Sequence, residues 1–158
     1  MGASHLEEVQ ILLQALAAMA LGGVLGWERE SSGKWAGFRT HMLVCVSATL
    51  FVRLGQLLIE DSTAHFAAGT LRADPTRLIE AIAAGISFLG AGTIFRERSG
   101  VRMKGLTTAA SLLVVAPIGV AVALHRYLIA VGVTLIALFI LRTLRRLEER
   151  AEARMPRP

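Results

Sequence analysis

Between Glu8 and Glu28 the chain runs for nineteen residues, Val9 to Trp27, without a formal charge, and from Gly105 to Leu124 for another twenty. A bilayer core about 30 Å thick is crossed by about 20 apolar residues, each adding about 1.5 Å of helix. In water a helix this apolar would need burial on every side, whereas in lipid its whole surface suits the solvent. Three further stretches reach membrane length once a single charge is admitted. His41 to Ile59 contains only Arg53, Leu78 to Phe95 only Glu80, and Tyr127 to Leu144 only Arg142. With 54% hydrophobic and 18% charged residues and a mean hydropathy of +0.56, a disordered chain is excluded and an ordinary soluble domain is strained. The expected fold is all-α: a polytopic bundle of five transmembrane helices over about 9–27, 41–59, 75–95, 106–124 and 127–144. These make one domain, 1–144, with a charged cytoplasmic tail over 145–158.

The net charge of +5 invites a nucleic-acid reading until the basic residues are located. Arg29, Lys34 and Arg39 fall in the first loop, and Arg96, Arg98, Arg102 and Lys104 in the third. Arg142, Arg145, Arg146, Arg150, Arg154 and Arg157 belong to the end of the chain, so thirteen of the 17 lie on one side of the spans. The positive-inside bias puts that side in the cytoplasm and the N-terminus outside. Topology and contact with anionic headgroups account for the basic excess, and no nucleic-acid partner is expected. Met1 to Glu8 holds two glutamates and no Lys or Arg, so the first span is expected to stay uncleaved.

Local signals mark the helix ends. Asp74-Pro75 is an N-cap followed by proline at the first helical position, and Pro117 falls inside the fourth span, where it should bend the helix. Gly22 and Gly26 on the first helix, and Gly85, Gly90 and Gly92 on the third, are small residues of the kind that let helices approach closely in lipid. Arg53 and Glu80 lie about 9 Å and 8 Å from the outer ends of neighbouring antiparallel spans, counted at the helical rise. Charges inside a membrane are functional candidates or pair with one another, and an Arg53–Glu80 ion pair is expected.

The blocks Glu28-Arg29-Glu30, Ala36-Gly37-Phe38-Arg39-Thr40-His41-Met42-Leu43-Val44, Asp74-Pro75-Thr76-Arg77, Gly85-Ile86-Ser87-Phe88-Leu89-Gly90-Ala91-Gly92-Thr93-Ile94 and Gly105-Leu106-Thr107-Thr108-Ala109-Ala110-Ser111 resemble successive motifs of the MgtC/SapB family. The resemblance runs from about Leu21 to Gly119 and implies a multi-pass protein of the bacterial inner membrane, one of a virulence-associated group linked to growth under magnesium limitation. Arg53, Glu80, Ala81 and Leu113 depart from the expected pattern. Only the transmembrane part of the family is expected, without the C-terminal cytoplasmic domain that some members carry.

Taken as chemistry, Glu28, Arg29, Glu30, Arg39, Thr40, His41, Arg96, Thr107, Thr108 and Ser111 form a candidate polar layer at the cytoplasmic face. Carboxylates at 28 and 30 could ligate a magnesium ion, but the neighbouring guanidinium groups oppose a dication. The start of the fourth helix, near Lys104, better suits an anion. No catalytic motif is present, His5, His41, His65 and His125 lack metal-ligand spacing, and neither an enzyme nor a cofactor is expected. Two functions stand: a regulator of another membrane complex acting through helix contacts, or a small homodimeric transporter of an ion or a phosphate-like anion. A homo-oligomer, with a dimer favoured, is the expected assembly.

Overall fold

The computed structural model describes residues 2–65, 74–96 and 103–152. Within them are five helices: α1 Gly2–Ser31, α2 Phe38–His65, α3 Pro75–Gly92, α4 Leu106–Ala123 and α5 Tyr127–Glu152. Two-residue strands β1 Phe95–Arg96 and β2 Met103–Lys104 pair antiparallel between α3 and α4, where the sequence suggested only a loop. Among the described residues three helical stretches are long and apolar enough to cross a membrane: His5–Ser31, Phe38–Asp61 and Leu106–Ala123. The apolar part of α5, Tyr127–Thr143, is shorter, and α3 has 18 residues that include Arg77 and Glu80. Both α1 and α2 extend beyond their apolar runs, because a helix propagates through polar residues once an apolar stretch has nucleated it.

The bundle is built round α4, which touches all four other helices. Leu112, Val115, Ile118 and Val122 of α4 are at most 1% exposed. The surrounding helices turn Leu13, Phe51, Leu128 and Phe139 outward, as helices do when the solvent is hydrocarbon. Small residues set the spacing. A Cβ added at Gly22 would lie 2.7 Å from the His41 carbonyl oxygen, and one at Gly26 would lie 2.7 Å from Phe38 Cα, so α1 and α2 meet nearly backbone to backbone. The same holds for α2 and α4 at Gly119, two residues past Pro117.

The ends are held by specific caps. Asp74 accepts from the Thr76 N–H at 2.9 Å and the Thr76 hydroxyl at 2.6 Å, and Pro75 occupies the position whose N–H is not needed. At the other end of α4, His125 takes φ 57°, its N–H reaches Val122 O, and Arg126 N–H reaches Ala121 O, a Schellman ending with histidine where glycine is usual.

The Thr76 hydroxyl and N–H hold the Asp74 carboxyl below its ordinary value. The cap therefore contributes in full above the unfolded carboxyl pKa of about 3.9 and is lost as pH falls through the lowered folded value. Amide exchange in the first turn of α3, taken relative to its intrinsic rate at each pH, should accelerate on acidification through that range. In Asp74→Ala it should be fast and insensitive to pH-dependent capping; an unchanged exchange profile in the variant would remove the cap from the account.

Candidate functional site

At one end of the bundle, the C-terminus of α1 and the N-termini of α2 and α4 bring most of the expected polar layer together. Glu28 and Arg29 end α1 and are 3% and 2% exposed. Their side chains form a buried ion pair, Arg29 Nε to Glu28 Oε2, while Ser32 Oγ donates to Glu28 Oε1 at 2.9 Å. The second Arg29 amino group, Nη1, has no hydrogen-bond partner among the described residues. Glu30 is exposed but engaged: its Oε2 accepts the Phe38 N–H at 2.8 Å and so caps the start of α2.

His41, on the first turn of α2, is fully buried. Its Nδ1 lies 3.0 Å from Gly37 O, and a carbonyl only accepts, so Nδ1 carries a proton. Its Nε2 lies 3.0 Å from Ser111 Oγ on α4, and the Ser111 hydroxyl is also 2.8 Å from Thr108 O. Helix α1 thus closes on itself through Glu28 and Arg29, and α2 is fastened to α4 through His41. Arg39 and Thr107 are exposed and Thr40 half-buried, so these three lie outside the buried cluster. Arg39 makes no ion pair or hydrogen bond with a described residue. The Arg96 side chain lies outside the described residues, as does His65's.

Two further polar contacts were not singled out from sequence. Thr49 donates toward Cys45 O and Gly119 O at 3.0 and 2.9 Å, joining α2 to α4 beside the Gly119 crossing. Gln14, 1% exposed within the first charge-free run, donates to Val122 O at 3.0 Å and Ala123 O at 3.2 Å and so caps the end of α4. A glutamine interrupting an apolar run was its only sequence signal.

The expected Arg53–Glu80 pair is not formed. Arg53 Nη2 lies 3.5 Å from Glu7 Oε1 on α1, and its Nη1 donates to Gln56 at 2.8 Å. Matching depth on α2 and α3 was the basis for pairing them, but α1 extends past its apolar run and brings Glu7 to Arg53 first. Glu80 is exposed and pairs with no described cation. The packing expected at Gly85 and Gly92 is also absent: a Cβ at either would meet nothing within 4 Å, while Gly90 faces Ala109 at 3.4 Å. Arg53→Ala should lower the melting temperature in detergent. Glu80→Ala should stay within about 0.5 kcal/mol of wild type, the usual range for an exposed position; a large loss there would restore the rejected pair.

Among the described residues no three of His, Cys, Asp and Glu gather as metal ligands. An apolar helical bundle with three described helices long enough to cross a bilayer, and with most of its buried polar groups bonded to one another or to backbone carbonyls, is the architecture of a membrane protein. The MgtC family model matches residues 15–150, and the chain belongs to the MgtC family. It is 43% identical over 103 residues to Protein MgtC of Brucella abortus (strain 2308), covering 65% of this chain and 38% of that protein. To Protein MgtC of Salmonella typhimurium (strain LT2) it is 39% identical over 127 residues, 80% of this chain and 49% of the relative. The chain therefore spans less than half the length of these curated relatives. No solved structure matches it significantly.

Proposed function

We propose that the chain is a multi-pass protein of the bacterial inner membrane, with its N-terminus outside and the Arg39 end cytoplasmic, that regulates another membrane protein through the outward face of α3. The observation that carries this is Glu80. Helix α3 buries only Ile82, Ile86 and Gly90, and its opposite side presents Glu80, Ala84, Phe88 and Ala91. Phe88 is 83% exposed. Charges within spans almost always pair or face an interior, and small residues favour close helix contact, so lipid alone is a poor neighbour for this face. A partner helix offering a cation or hydrogen-bond donor at the level of Glu80 satisfies both demands.

The family resemblance links such a regulator to adaptation under magnesium limitation. The described buried polar groups favour regulation over transport, because they cap helices and pair with one another rather than line a continuous route. Affinity purification of the full chain from native membranes is expected to recover a stoichiometric larger membrane protein. Glu80→Ala and Phe88→Ala should each lose it with unchanged melting. Recovery of no partner, or only of a second copy of this chain, would sink the regulatory reading.

A further inference from the structure

A second lateral feature lies beside that face. Helices α2 and α3 both pack on α4 but touch each other only sparingly, leaving between them an open groove of about 500 Å³. Its walls are apolar, with Leu43, Phe51, Ile86 and Leu89 among them, and its mouth is formed by Arg39 and Thr40, at the end that the orientation proposed above, on which this inference rests, makes cytoplasmic. Arg39 is exposed and unpaired among the described residues, and the Thr40 hydroxyl likewise has no described partner. Ser47, about 12 Å further along α2 by the helical rise, is the one other polar side chain in the lining.

The dimensions identify what fits. From Arg39 to Phe51 the groove follows α2 for twelve residues, about 18 Å at 1.5 Å per residue. One leaflet of a hydrocarbon core about 30 Å thick is about 15 Å deep. The groove therefore runs from headgroup level to about the middle of the bilayer. It carries a free guanidinium at the headgroup end and hydrocarbon walls below. Water would find almost nothing to bond there.

We infer that this groove is a binding site for a single anionic phospholipid of the inner leaflet. One acyl chain lies between α2 and α3. The phosphate accepts charge-assisted hydrogen bonds from the Arg39 guanidinium, and the Thr40 hydroxyl donates a second contact. Charge complementarity selects the class: a free arginine facing a leaflet that carries anionic lipid attracts a net negative headgroup over a zwitterionic one. Gly85 sits in the wall with open space where its Cβ would be, which leaves room for the chain and provides a means of closing the site without straining the fold.

The test uses the full chain in nanodiscs of phosphatidylcholine and phosphatidylglycerol in equal amounts, released into the mass spectrometer under native conditions. One phosphatidylglycerol per chain should be retained in preference to phosphatidylcholine. Arg39→Ala should reduce that retention about tenfold, as expected for the loss of a charged hydrogen-bonding partner, and Arg39→Lys should restore part of it. Gly85→Leu should displace both lipids with the melting temperature unchanged. Equal retention of the two lipids, or no effect of Arg39→Ala, would overturn the site. So would a dimer that Gly85→Leu dissociates, because the groove would then hold a second copy of the chain. Arg39 is exposed, so its variants keep the test decisive even if Gly85→Leu fails to fold.

Discussion

Gly119→Ala should cost about 3 kcal/mol or more in stability, although it adds one methyl group and replaces glycine with the best helix former. A Cβ at position 119 would lie 2.2 Å from the Cys45 carbonyl oxygen and 3.1 Å from Ala48 Cβ. The first obstacle is backbone, which cannot rotate aside, so α2 and α4 must separate. Overpacking of a close-packed site typically costs about 1–3 kcal/mol, and more where nothing yields. Separation would also pull Thr49 from Gly119 O, leaving a buried hydroxyl with one fewer partner. Gly85→Ala is the matched control: its new methyl meets open space, and the helix propensity of alanine over glycine should make it neutral or stabilising by up to about 1 kcal/mol. Thermal unfolding of both variants in one detergent separates the two outcomes. Equal melting temperatures would show that α2 and α4 do not cross where described.

The second large effect is expected at the end of α1. Glu28→Leu should destabilise by about 3–5 kcal/mol, because it leaves the Arg29 guanidinium buried without the carboxylate it pairs with, and Arg29→Met should also destabilise because it removes the guanidinium from the buried Glu28 carboxylate. The double replacement Glu28→Leu with Arg29→Met should be far less damaging than the two single losses added together, since it removes both charges and keeps the volume. A double-mutant cycle in detergent over Glu28→Leu, Arg29→Met and the two together measures that coupling directly. Additive losses would mean that the pair is not an energetic unit.

Local signals made much of the fold legible. Membrane-length apolar runs located the long helices, and Asp74-Pro75 marked the start of α3 because a cap and a proline act within one turn. Features that depend on how helices are disposed were not legible. Arg29 and Arg39 are ten residues apart around the same loop, yet one is buried against Glu28 and the other exposed, and no periodicity in that loop distinguishes them. Arg53 was matched to Glu80 by depth along two spans, but its neighbour is Glu7 because α1 continues beyond its apolar stretch. Gly85 and Gly92 belong to the same small-residue pattern as Gly90, but only Gly90 faces α4. Composition shows which helices can approach closely, and the third dimension decides which faces do.

In the proposed function the buried polar groups are locks within and between helices rather than steps of a pathway, and the lateral surface carries the activity. Reconstitution of the full chain into liposomes loaded with a magnesium-sensitive dye, and separately with labelled phosphate, tests this most directly. The prediction is flux no greater than in protein-free vesicles. Flux of either ion that rises with the amount of protein and is lost in Ser111→Ala, which breaks the His41 contact to α4, would contradict it.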